Sequence, residues 1–182
     1  MENNNKARFY TIAGMILAAA FSRFMPHPPN FTPIMAMAIF GGAYFTDKKF
    51  AYLVPFAAML LTDIFIGFHS SMWAVYISFG IGVLMGSYFL KQKSFSRITT
   101  LSIACALIFF LLTNLSVWMS FGLYPHTVAG LMQCYFMGLP FLSYTPLELF
   151  GFTVFGDLVY AYILFGAFAF AEKRLPYLVV QK

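Results

Sequence analysis

Residues 22–33 read SRFMPHPPNFTP, from Ser22 to Pro33, and lie between two strongly apolar runs. The segment carries one Arg, one His, one Asn and four prolines. Chain so rich in proline does not continue a helix, because each ring removes a backbone donor. In lipid, unpaired backbone groups are costly, so non-helical chain at membrane depth needs protein or water beside it. The segment is therefore expected to line a cavity open to the outer face.

The surrounding composition sets that membrane context. The 182 residues are 61% hydrophobic and 9% charged, with a mean hydropathy of +0.79. A soluble domain carries about 25% charged residues. The expectation is an all-α integral membrane protein, read as a single domain over 1–182. Each span needs about 20 residues to cross a hydrocarbon core of about 30 Å. Six are read: Ala7–Phe24, Phe31–Thr46, Phe50–Phe68, Met72–Leu90, Ile98–Phe121 and Leu147–Ala171. The second is short, and is expected to be a broken helix that borrows the irregular chain before it.

Charge sets the orientation. With the N-terminus inside, Lys6, Arg8, Lys48, Lys49, Lys91, Lys93, Arg97, Lys173, Arg174 and Lys182 all fall on the cytoplasmic side. Arg23 falls outside, so the excess of basic residues follows the positive-inside rule and predicts N-in, C-in topology. The net charge of +5 then has no need of a nucleic-acid partner. The run Thr127–Leu142 is apolar, but a seventh span there would move Lys173 and Arg174 outside. It reads as a short outer interfacial or re-entrant helix, able to act as a lid. At the N-terminus, basic residues followed by Phe9–Leu17 and Ala18-Ala19-Ala20 also resemble a cleavable signal peptide.

Ionisable groups inside a membrane are candidates for function because burying them is costly. The candidate substrate-binding residues are Arg23, His27, Asn30, Asp63, His69, Asn114, Trp118, Cys134 and Asp157, nearly all assigned to the outer half. Asp63 has two compatible readings, a structural pair with Arg23 or a direct ligand contact. Asp157 lies deeper without a cationic partner at its level. Asn114 and Trp118 are four residues apart and share a helix face. His27, His69 and His126 on one side, with Cys134 nearby, raise a transition-metal ligand, although their spacing matches no zinc motif. Trp73, Trp118 and Tyr124 also fit an interfacial aromatic belt. Glu148 suits a helix N-terminus, a structural role. Asn30-Phe31-Thr32-Pro33 and Ser143-Tyr144-Thr145-Pro146 each read as a Thr cap followed by a proline at the first helical position. No disulfide between Cys105 and Cys134 is expected.

The blocks RFMPHPPNFTPIMAMAIFGGAYF, VPFAAMLLTDIFIGFH, VYISFG and TNLSVWMSFGLYPHTVAGLMQCYFMGLPF resemble an uncharacterised family of small bacterial membrane proteins. That resemblance implies the cytoplasmic (inner) membrane of a bacterium. In overall plan the chain is also similar to the S components of energy-coupling factor transporters. Such a likeness implies a six-helix protein that binds a vitamin or trace metal from outside. It further implies a coupling membrane protein and an ATPase pair as partners, with the Gly14, Ala18 and Ser22 series as the contacting face. No vitamin-specific motif of those proteins is present.

These readings favour a substrate-binding membrane protein for uptake of a small vitamin-like or metal-containing solute. The chain has no P-loop, so ATP energy would come from a partner. A structural or assembly subunit is the alternative. A metal- or cofactor-dependent membrane enzyme is a third reading, disfavoured because no nucleophile and base stand at a recognisable spacing.

Overall fold

The computed structural model describes residues 2–138 and 143–179. Among these the chain is all helical, with seven α-helices and two 3-10 turns. They are α1 (Glu2–Phe21), α2 (Ile34–Tyr44), α3 (Lys48–Ile66), α4 (Met72–Phe89), α5 (Phe95–Ser120), α6 (Val128–Met137) and α7 (Pro146–Arg174). The 3-10 turns, Ser22–Phe24 and Pro176–Leu178, follow α1 and α7. Leu139 to Leu142, the end of the expected lid, and Lys182 of the basic set lie outside the described residues.

Among the described residues four helices, not six, are long and apolar enough to cross a membrane: α3, α4, α5 and α7. In their most apolar windows only 33–39% of residues are buried inside the protein. The remaining apolar surface, including Leu53, Phe65, Tyr88, Phe155 and Phe170, faces outward. The two other expected spans fall short for different reasons. The polar start Glu2–Arg8 dilutes the apolar run of α1. The eleven residues of α2 rise only about 17 Å at 1.5 Å each, roughly half the thickness of a hydrocarbon core.

That short helix is the centre of the molecule. Ten of its eleven residues are buried, and α1, α3, α4, α5 and α7 all pack against it. A helix apolar on every face is expected to be enclosed. Glycine permits the enclosure. A Cβ on Gly42 would strike the Val83 carbonyl of α4, and one on Gly86 would strike the Ile39 carbonyl of α2. In lipid, where apolar burial gives little drive between helices, such close backbone approach supplies van der Waals contact. On the α7 side, Phe40 packs edge-on to Phe165, with ring centroids 5.3 Å apart.

The helix starts follow from local chemistry. Asp47 accepts from the Lys49 amide at the head of α3, Ser94 caps α5 and Thr127 caps α6. Thr145 caps α7 with Pro146 in its first turn, as expected, and Glu148 bonds back to Thr145 to complete a reciprocal capping box. The parallel expectation for Thr32 and Pro33 fails, because Pro33 is itself the cap and no side-chain cap bond is made.

The basic side chains that can be followed gather at one end. Arg8 pairs with Glu172 at 2.7 Å and bonds the Leu178 carbonyl. Its guanidinium and the Lys93 ammonium both lie over the Tyr44 ring. Lys48 lies over Tyr88. Burial pushes the Lys93 amine below its ordinary range, against the opposing pull of Glu172. Arg23 sits at the other end of α1.

Candidate functional site

The broken segment after α1 takes a defined shape. Met25 N–H bonds the Ser22 carbonyl, and Phe31 N–H bonds the Pro28 carbonyl across Pro29 and Asn30. Asn30 has φ +61, a left-handed conformation that Asn tolerates better than most side-chain-bearing residues. The following backbone lies on α7, where a Cβ on Gly156 would meet Phe31 Cα at 3.0 Å. Ser22 reaches the same helix through its hydroxyl, 2.9 Å from the Tyr160 oxygen.

Above α2, at the Arg23 end, this segment encloses a cavity of about 430 Å³ with the facing helices. Small-molecule sites are typically about 300–1,000 Å³. The segment contributes Arg23, Asn30 and Thr32, while α3 adds Met59 and Asp63. His69 and Ser71 come from the α3–α4 connection. Phe109, Phe110, Thr113 and Asn114 of α5, and Leu149 and Thr153 of α7, complete the principal walls.

The charged pair in the wall is fully engaged. Arg23 Nη2 lies 2.7 Å from Asp63 Oδ1, with both side chains below 10% exposure. The Arg23 guanidinium also bonds the Thr62 hydroxyl, and Tyr76 donates to Asp63 Oδ2 at 2.8 Å. The pair adds no net charge, and buried ions held this way need such extra bonds to offset desolvation. On the opposite wall, Thr113 and Thr153 donate to the Phe109 and Leu149 carbonyls. The Asn114 amide donates to the Phe110 carbonyl. Both hydroxyl protons and one Asn114 N–H are taken by backbone, so these side chains keep their oxygens to accept, and Asn114 its second N–H to donate, toward a ligand.

Of the nine sequence-selected residues, Arg23, Asn30, Asp63, His69 and Asn114 line the cavity. The other four are placed elsewhere. His27 is exposed and contacts the Pro28 carbonyl. Trp118 donates to the Pro125 carbonyl and packs on His126 at 5.0 Å. Its shared face with Asn114 therefore does not become a shared wall. Cys134 is buried and directed at the Asn114 carbonyl, 3.5 Å away. Burial pushes its thiol above the ordinary range, disfavouring the thiolate that binds metals. Asp157 lies beneath the cavity and is 1% exposed.

The histidines accordingly do not converge. Among the described residues there is no group of three or more His, Cys, Asp or Glu able to hold a metal ion. Both cysteines are free. Helix α6 packs on α5 and α7, fastened by Tyr135 to the Leu111 carbonyl. Tyr124 donates to the Gly138 carbonyl at 2.7 Å, and its burial pushes the phenol above its ordinary range. The described part of the expected lid touches the cavity through Gly138, at the end of α6.

Sequence reading missed Thr113 and Thr153, because a lone Thr in an apolar helix gives no signal. It also missed Tyr76, which joins the Asp63 pair only through packing of α4 against α3.

No curated protein and no solved structure matches the chain. A family model described as a family of unknown function (DUF6580) matches residues 3–178. The chain, from its first helix to its last 3-10 turn, belongs to that family of unknown function.

Proposed function

We propose that this is an integral membrane protein of the bacterial inner membrane that binds a small solute from the outer face for uptake. The observation carrying the proposal is the cavity at the Arg23 end, where Asn30, His69 and Asn114 surround a neutralised Arg23–Asp63 pair. Its polar groups suit an uncharged or zwitterionic organic molecule, with Phe109 and Phe110 supplying aromatic surface. A cavity of about 150 Å³ accepts benzene, so this one has room for a molecule of two or three rings. The vitamin-like reading has this support; the metal-containing reading lacks converging ligands among the described residues.

The proposed topology has six passes, N-in and C-in. In it α1 crosses despite its polar start, and the Met25–Pro33 segment with α2 makes one pass. Its support is the gathering of Arg8, Lys48 and Lys93 at the end opposite Arg23, as the positive-inside rule requires. The proposed partners are a coupling membrane protein and ATPase subunits. Gly14 and Ala18 are open to the outside of the bundle, and a Cβ on Gly14 would meet nothing within 4 Å.

A structural role is the second reading, favoured by the Arg23–Asp63–Tyr76 set, whose bonds brace α1, α3 and α4 without any ligand. Native mass spectrometry of the protein extracted in mild detergent distinguishes the two. The binding reading expects a co-purifying molecule that is lost in Asn114→Ala while the melting temperature holds. Protein that never carries such a molecule, with partner subunits still attached, would leave the structural reading.

A further inference from the structure

Directly below the cavity lies a carboxyl group that the binding site does not use. Asp157 is one helical turn inward from Thr153, which lines the cavity. It is 1% exposed, and among the described residues its Oδ2 has no hydrogen-bond partner. Its carboxyl group faces the backbone N–H groups of Met35 and Ala36, in the first turn of α2. That helix has no side-chain cap of its own, so Asp157 takes the place that Thr32 leaves empty.

The surroundings support both protonation states. An ionised carboxylate is stabilised by the N-terminal end of α2 and its free N–H groups. A neutral carboxyl suits the dry setting, where an unpaired charge is expensive. N–H groups pointing at the site oppose a bound cation, and no further oxygen cluster is present among the described residues to coordinate one. The ion that fits is a proton.

Further polar groups lie inward on the same helices. Cys105 of α5 is fully buried, with its thiol directed at Met85 Sδ of α4, 3.9 Å away. Ser102 lies three residues further inward, on the same face of α5. It is fully buried, and its hydroxyl has no partner. Three residues beyond it, Thr99 Oγ1 lies 2.7 Å from the Tyr162 hydroxyl of α7. Helices α5 and α7 run in opposite senses along this contact, so these side chains follow one another toward the basic end, with the Ser102 hydroxyl unbonded between them.

The charged groups of the neighbouring elements are otherwise occupied. Arg8 and Arg23, at the two ends of α1 and its turn, pair with Glu172 and Asp63. Cys134 of α6 bonds α5 backbone. On α2, Tyr44 lies at the far end beside Arg8 and Lys93.

We infer that Asp157 is a proton-exchanging site between the cavity and the start of α2. An Oδ2 lone pair takes H⁺ from hydronium in the cavity, forming the carboxyl O–H and leaving water. When that O–H breaks, its electron pair stays on oxygen and H⁺ returns to water. The inference rests on the solute-binding reading for its purpose, but the proton site is testable separately.

The test is infrared difference spectroscopy of purified full-length protein, titrated across the physiological pH range. Wild-type protein is expected to show a protonated-carboxyl C=O band that titrates and shifts on transfer to D₂O. The band should be lost in Asp157→Asn and retained at a changed position in Asp157→Glu. A band that does not titrate, does not shift in D₂O, or survives in Asp157→Asn overturns the inference. If Asp157→Asn still carries a cavity molecule while wild type lacks the band, the proton site fails and solute binding stands. A titrating Asp157 in protein that never holds a cavity molecule supports the proton site and removes the solute-binding reading.

Discussion

Arg23 Nη2 and Asp63 Oδ1, 2.7 Å apart, join the turn that ends α1 to the last turn of α3. The contact fixes where the proline-rich segment begins and gives the cavity a wall without net charge. Tyr76 extends it to α4, so three helices meet at one carboxylate.

Removing one partner leaves the other ion buried and unpaired. Asp63→Asn should therefore destabilise the protein by about 3–5 kcal/mol. The double variant Arg23→Met with Asp63→Leu should recover most of that loss. Thermal unfolding in detergent measures both, and equal losses in single and double variants would show that the pair does not act as a unit.

Tyr76→Phe removes one charge-assisted hydrogen bond and no packing volume. The expected cost is about 1.5–3 kcal/mol, smaller than that of breaking the ion pair. The same melting assay should rank it below Asp63→Asn.

Asn30 separates backbone shape from ligand contact. Asn30→Gly keeps the φ of +61 accessible and should leave the melting temperature nearly unchanged, while removing the amide from the cavity. Asn30→Val should lose stability by about 1–3 kcal/mol through strain. Retention of a co-purified molecule, followed by native mass spectrometry, should fall in both.

The contact of α2 with α4 has no room for a methyl group. Gly86→Ala would set a Cβ against the Ile39 backbone, an overpacking cost of about 1–3 kcal/mol or more. Gly14→Ala, which meets nothing within 4 Å, should be neutral or slightly stabilising. The difference between the two in detergent unfolding checks the packing directly.

Topology is open to cysteine labelling, because Cys105 and Cys134 are both buried and give little background. A membrane-impermeant maleimide should label Ser70→Cys in intact cells and reach Ser96→Cys only after permeabilisation. The reverse pattern would invert the proposed orientation.

Much of this arrangement was legible in the residues themselves. Apolar length determined α3, α4, α5 and α7, because a helix facing lipid must be apolar whatever it packs against. Proline and asparagine marked Ser22–Pro33 as the break, since those residues act on their own backbone. Isolated charge was informative for the same reason: Arg23 and Asp63 are too costly to bury apart, so their pairing was implied before any packing was known. Thr145 with Pro146 announced the start of α7 because a cap and a first-turn proline act within one turn.

The tertiary structure decided what depends on neighbours distant in sequence. Thr32-Pro33 has the same local pattern as Thr145-Pro146, yet α2 begins without a side-chain cap and meets Asp157 from α7 instead. Trp118 and Cys134 carry suitable chemistry, but their nearest polar partners are the Pro125 and Asn114 carbonyls, outside the cavity. Only packing could show that α2 is enclosed by five other helices, because glycine at a close crossing is the same residue as glycine in open lipid. The segment SRFMPHPPNFTP is thus fixed as a break by its own residues. Its role as a cavity wall comes from the helices that close around it.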